Sequence, residues 1–522
     1  MLLPSPPSST KGTHPNPYPQ SSGMADQLAA VPEESATGFT ADYPPRNIYL
    51  NRIRTVPVSG APIRWTVFPR SQSGRHNGSS CSSDSGASNS NPSNKSSSGA
   101  APAFAFAAEM EDHALMRIAR EMVRDGYTQH MVQAFHDASP APGNHALNNR
   151  FLDLDADWVL QIHDEHGLRR LLQEKPASTP QDFVERWIRA FTINVVSITE
   201  LVFAFHETPA VARFGKASIT QMLVVVDVII TILKAEKLQA VLDMFTCVCG
   251  ASYMFTPVVI SPEAQSTFNE ISPSLERVAK SLSDVISSTM EEVRTLVEED
   301  DSWAIEIPRG GGEIHNNTRF IMDCIASMTK AQISMQNSAP NHDARNLRDL
   351  KDDTIDYLED MLLNKSELCS DPSLRYLFLL NNFYFVAQAS EPSASLPPDL
   401  WFKPTPECEK YMDSYLGVSW GHVLSCIPKS NFHGPLHAVH RWINTSSLAK
   451  FHTAFNKTYQ AQKFWKVPDP RLRSLLRETI TNRVISAYND YLKEHPELEK
   501  HVSGGSSSPT VLGEKLGQLF EG

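Results

Sequence analysis

No apolar run in these 522 residues reaches the roughly 20 that a membrane-spanning helix needs without interruption. The longest, Ile219 to Leu233, is broken by Asp227 and reads as a fully buried helix with Asp227 hydrogen-bonded in the core. Positive charge is scarce: 47 Lys and Arg stand against 59 Asp and Glu, a net −12 at pH 7. That balance excludes the broad basic surface of a general nucleic-acid binder. Cysteine is sparse, with seven scattered residues, Cys81, Cys247, Cys249, Cys324, Cys369, Cys408 and Cys426. The opening residues Met1 to Thr10 lack the basic and then apolar layout of a signal peptide, so a reducing cytosolic setting is expected. The one close pair, Cys247 and Cys249, falls in a helical pattern and reads as buried thiols rather than metal ligands.

Strand-type alternation is also nearly missing, while helical spacing recurs. Residues 1–108 are rich in Pro, Ser, Asn and Gly, a composition that buries too little apolar surface to offset chain entropy, so this tail is expected to be disordered. Within it, Trp65 to Arg70 reads as a short docking motif or, more simply, a passing hydrophobic patch, and Met24 offers an alternative start. From His113 the pattern changes, with Leu115, Ile118, Met122 and Val123 on one helical face. Similar periodicity covers Asp182 to Phe205, Ser218 to Phe245, Ser274 to Glu299, Thr318 to Gln336, Leu347 to Leu363 and Leu374 to Gln388. One core cannot hold about 400 helical residues. The expected fold is therefore all-α, an elongated rod of stacked antiparallel helical bundles spanning 109–522 behind the disordered tail.

Two adjacent amides, Asn381 and Asn382, stand inside the almost wholly apolar run Leu374 to Gln388. Buried amides need partners, which marks a specified core helix, opened by Asp371 with Pro372 at its first position. This segment, with GGGEIHNNTRFIMDC (Gly310 to Cys324) upstream and KFWKVPDPRLRSLLRETI (Lys463 to Ile480) downstream, resembles the seventy-kilodalton subunit family of the exocyst, in its plant branch. The resemblance runs from about Ala114 to the closing LFEG tail. It implies a cullin-repeat-like rod and a non-catalytic role tethering secretory vesicles at the plasma membrane. It also implies other exocyst subunits, phosphatidylinositol bisphosphate and small Rho-type GTPases as partners, with a cytoplasmic protein held peripherally at that membrane. The chain departs from the family in lacking sustained a/d heptads in its first hundred residues. A diverged, exocyst-independent interaction protein in plant defence or specialised trafficking is the alternative.

Charge is polarised toward the end. From Arg441 to Arg483 nine Lys or Arg face two acids, a local +7. Asp469 and Pro470 open a helix whose buried stripe is expected to be Leu472, Leu475, Leu476, Ile480, Ala487, Tyr488 and Tyr491. Arg473 and Arg477 lie four apart on one side, and with Lys463 and Lys466 they form a candidate patch for anionic headgroups, each cation contributing about 1 kcal/mol near an acidic leaflet. The same side chains read equally well as a solvated face or as partners of distant acids. The family's lipid-contact stretch corresponds to Leu498 to Pro509, where Lys500 is basic and Ser503 to Ser508 adds no second cation. The acidic stretch Glu291 to Asp301 reads first as a frayed helix end and second as a site for a basic partner.

Enzyme signatures are absent: Gly310, Gly311 and Gly312 lack the rest of a phosphate loop, and no nucleophile elbow or HExxH occurs. No cofactor is implied. A zinc-dependent enzyme built on His433, His437 and His440 is the remote alternative, since no carboxylate or cysteine completes that set at a familiar spacing.

Overall fold

The structure is a computed structural model. It describes residues 46–58, 63, 65, 113–137, 145–162, 164–174, 179–204, 208–233, 238–255, 262–336, 342–390, 405–427, 437–498, 502, 505 and 507–521, all within the unit Pro45–Gly522. Helix follows helix: α1 (Arg46–Thr55), α2 (Ala114–Arg124), α3 (Tyr127–Asp137), α4 (His145–Asp153), α5 (Glu165–Glu174), α6 (Pro180–Ala204), α7 (Thr208–Ile232), α8 (Leu238–Met254) and α9 (Pro262–Glu298). They continue as α10 (Trp303–Arg309), α11 (Asn316–Gln336), α12 (His342–Ser366), α13 (Pro372–Ser390), α14 (Pro406–Ser425), α15 (His437–Gln462), α16 (Pro470–Glu494) and α17 (Pro509–Gly517). No strand occurs among the described residues, and their one β-bridge joins Lys466 to Glu521.

The caps follow from local chemistry. The His113 side chain accepts from Leu115 N at the start of α2, and Asp371 Oδ1 accepts from Ser373 N at 2.8 Å and Leu374 N at 3.3 Å to open α13. Asp469 does the same for α16, taking Arg471 N at 2.9 Å and Leu472 N at 2.8 Å, with Pro470 where its missing N–H is harmless. α9 runs 37 residues, about 56 Å, straight through Pro273.

Packing proceeds from neighbour to neighbour. α6 lies against α2, α7 and α8; α9 covers α7 and α8; α11 carries the stack from α8 to α12; α13 and α14 pair, and α14 meets α15 and α16. The result is an all-α stack of bundles. Specific polar pins cross the apolar layers: Trp187 Nε1 donates to Met222 O at 2.9 Å, and Asn194 Nδ2 to Ser218 Oγ at 2.9 Å, tying α6 to α7. By length and composition α6 and Pro209–Ile232 would pass for membrane spans. Here α6 is a core helix, its apolar window 78% buried, and α7 packs against α3, α6 and α9. Cys247, Cys249, Cys324, Cys369 and Cys408 are buried free thiols, and burial pushes Cys324 up to about 11.

Several readings of the sequence change. Asp227 is not a core group: its carboxylate is 42% exposed and accepts from Arg277 Nη1 of α9 at 2.8 Å, because α7 is apolar on more than one face yet packed on only part of its circumference. The periodicity from Ser218 to Phe245 belongs to two helices, α7 and α8. In α16 Val484 is buried while Leu475 and Ala487 are only half-buried.

The expectation of disorder through residue 108 also fails for part of that span. α1 packs on α2, α4 and α6, and Ile53, Val56, Val58, Ile63 and Trp65 are all core residues. Arg189 Nε of α6 donates to Val56 O at 2.8 Å, and Ser334 Oγ of α11 donates to Ile63 O at 3.2 Å. Trp65 is 1% exposed and lies on Gly250 of α8, where a Cβ would come within 2.1 Å of the indole Nε1. Trp65 is thus core rather than docking motif, while the rest of that motif and Met24 lie outside the described residues.

Candidate functional site: the junction beneath the basic patch

The turn after α10 reverses the chain through Gly311 and Gly312, at φ +63° and +83°, a region that favours glycine. There is little room for more: a Cβ on Gly312 would sit 3.2 Å from Leu374 Cδ1. The carbonyls of this turn are collected by α13. Asn381 Nδ2 donates to Gly312 O at 2.7 Å and to Lys466 O at 2.9 Å. Asn382 Oδ1 accepts from His315 N at 3.1 Å and Thr318 Oγ1 at 2.8 Å, while its Nδ2 donates to Phe378 O at 2.8 Å and Glu313 O at 3.4 Å. Lys466 N closes the ring by donating to Gly311 O at 2.9 Å. The two amides are therefore the node at which the glycine turn, α13 and the α15–α16 link meet.

Around this node the side chains are fixed. His315 stacks on Trp303 with ring centroids 3.6 Å apart and planes 8° apart, its Nε2 3.0 Å from Glu306 Oε2. Burial holds its pKa below the usual imidazole value, against the opposing pull of Glu306 and Asp300. Asp300 accepts from Ser302 N at 2.8 Å and Asn317 Nδ2 at 2.7 Å, and these bonds hold its carboxyl below the ordinary range. Part of the acidic stretch thus orders the turn into α10 and α11, which favours neither a frayed end nor a free acidic face at Asp300.

The candidate basic residues divide. Lys466 Nζ lies 3.1 Å from Glu313 Oε2, both half-exposed. Arg473 Nε donates to Val467 O at 2.9 Å and Nη2 to Pro468 O at 3.2 Å. Arg477 Nε donates to Leu519 O at 2.7 Å, Nη2 donates to the same carbonyl, and Glu521 is 3.4 Å away. Burial pushes its guanidinium pKa down, partly offset by Glu521, and an arginine so placed stays charged. Lys463 Nζ sits 4.5 Å from the ring centroid of Phe464, which is 68% exposed. Carbonyl acceptors fix Arg473 and Arg477 without neutralising them, whereas Glu313 and Glu521 offset part of the field. Lys463, Lys466, Arg473 and Arg477 thus gather around the link 463–469 and the tail, and Lys500 lies outside the described residues. Sequence reasoning passed over Phe464, whose only signal was an aromatic between two lysines, and over Glu313, which lies 153 positions from its partner.

His433 lies outside the described residues, as do the side chains of His437 and His440, which open α15. Among the described residues no group of His, Cys, Asp or Glu is arranged to hold a metal.

A family model for the C-terminal region of the exocyst component Exo70 matches residues 197–508, well over half of the chain. The chain belongs to the Exo70 family. All three sequence blocks that meet at the node lie inside that match. Among curated relatives in Arabidopsis thaliana, exocyst complex component EXO70B1 is 23% identical over 392 residues, covering 68% of this chain and 60% of the relative. EXO70B2 is 24% identical over 357 residues, covering 63% and 56%. EXO70A3 is 21% identical over 443 residues, covering 78% and 70%. The chain thus spans less than two thirds of the length of the first two. The crystal structure of the S. cerevisiae exocyst component Exo70p aligns with a TM-score of 0.39 and 13% identity, covering 78% of this chain and 89% of that one.

Proposed function

We propose that the chain is a non-catalytic exocyst subunit that helps to tether secretory vesicles at the plasma membrane through contacts with other exocyst subunits. Membership of the Exo70 family is the observation that carries this reading, and a stack of helical bundles offering long lateral surfaces is consistent with it. Affinity purification of the tagged chain from cells of its own source tests it: the other subunits should be recovered in comparable amounts. Their absence would replace it with the exocyst-independent reading, in which the chain holds some family partners and lacks others.

The finer part of the proposal is peripheral attachment to phosphoinositide-bearing membrane at the end of the stack. Two features support it. Four cations cluster about one short link, and an exposed Phe464 stands among them, where an aromatic ring can enter the interfacial region while the lysines meet headgroups. Lys500 belongs to the same proposal from sequence alone, and Rho-type GTPases remain implied by family. Vesicle flotation at moderate salt is the test. Charge reversal at Lys463 and Arg473, with Phe464→Ala separately, should reduce binding to bisphosphate-containing vesicles at least severalfold, whereas unchanged binding would remove the patch from consideration.

A further inference from the structure

An open groove of about 670 Å³ runs between α15, the end of α14 and the start of α13, and nothing in the tethering proposal uses it. Its long wall is one face of α15. Ala449, Thr453 and Ala461 are exposed along it and Ala454 is half-buried, so another backbone can approach as closely as small side chains allow. Two lysines rise from the same wall, Lys450 and Lys457. They are seven residues apart, two helical turns or about 10.5 Å, and both are exposed without an ion pair among the described residues. The one carboxylate on the rim, Asp371, is occupied through Oδ1 in capping α13. On the floor, Ser419 is 1% exposed and lies beneath the small residues of the wall.

We propose that this groove docks an amphipathic helix of another protein, one with small apolar residues on its inner face and two carboxylates seven residues apart. Charge decides the occupant. A helix bearing acids at positions i and i+7 meets Lys450 and Lys457 together, whereas a basic or neutral helix leaves both cations facing like charge or an apolar surface.

The test uses the full chain and a displayed library of helical peptides with randomised faces. Selected peptides should carry Asp or Glu at i and i+7. By fluorescence anisotropy they should bind the Lys450→Glu, Lys457→Glu double variant about tenfold more weakly, and lysine-for-acid versions should regain affinity for that reversed chain. Ala454→Trp, which fills the groove without touching charge, should abolish binding of the same peptides. No enrichment, enrichment without the acidic spacing, or undiminished binding to the reversed chain would overturn the proposal. So would crosslinks in the free protein placing one of its own segments in the groove.

Discussion

Replacing Asn382 by Leu keeps the branched heavy-atom shape of a fully buried side chain and removes every hydrogen bond it makes. The His315 amide and the Thr318 hydroxyl lose their acceptor, at 3.1 and 2.8 Å, and Glu313 O loses a weaker donor at 3.4 Å. Phe378 O keeps its place in the α13 ladder and is not stranded. Each buried group left unpaired costs about 1–3 kcal/mol. The hydroxyl of Thr318 is free to rotate and relieves part of its share, so the expected total is roughly 3 kcal/mol. A chain with several bundles need not unfold in one step, so the decisive assay is local. Amide exchange at His315 and through the first turn of α11 should accelerate by about two orders of magnitude, while α6 and α7 stay protected. A cycle with Thr318→Val should show coupling of about 1 kcal/mol or more, since the two side chains share one bond. Unchanged exchange in the glycine turn, or additive single effects, would refute the claim that Asn382 organises the junction.

Gly312→Ala forces a residue with a Cβ into φ +83° and against Leu374, and should destabilise the C-terminal bundles by about 1–3 kcal/mol in urea titrations; a smaller effect would mean the turn relaxes. Trp65→Ala removes a buried indole from the surface of α8, with an expected loss of about 3–5 kcal/mol and faster amide exchange at residues 53–58. Protection of that segment should stay normal if the indole contributes nothing. His315 is held neutral by burial, so the unfolded chain takes up its proton first as pH falls. Stability should therefore decline below about pH 6.5, the ordinary imidazole value, and His315→Gln should flatten part of that slope between pH 7.5 and 5.5. An identical slope in the variant would exclude the group.

The helices were legible because they are long, periodic and locally capped: Asp371–Pro372 and Asp469–Pro470 announce α13 and α16 before any tertiary information enters. Asn381 and Asn382 signalled a polar node by the expense of burying two amides. What they bond was not legible, since Gly312 O lies 69 positions from Asn381 and Lys466 O lies 85, and no local pattern encodes such distances. Asp227 and α1 went astray for opposite reasons. An apolar composition overstated the burial of α7, and a Pro- and Ser-rich neighbourhood hid a short helix packed on α2, α4 and α6 and, after it, a tryptophan seated on α8. The basic patch was visible as charge, but the carbonyls and carboxylates that pin it come from the glycine turn and the tail.

That pinning separates two accounts of the patch, and Asn381 distinguishes them. If cations act only as a diffuse field, their exact placement matters little and the net charge determines vesicle binding. If they act as a presented array with Phe464, the backbone of 464–466 has to be held, and it is held by Asn381 donating to Lys466 O and by Gly311 O receiving Lys466 N. Asn381→Leu changes no charge. It strands Gly312 O and Lys466 O, and Oδ1, which has no partner to lose, adds nothing to the effect. Salt dependence of vesicle flotation then decides between the accounts. An array predicts severalfold weaker binding by the variant with a shallower salt slope, because fewer cations engage at once. A diffuse field predicts the wild-type slope and affinity, and that result would leave the junction as scaffolding with no part in membrane contact.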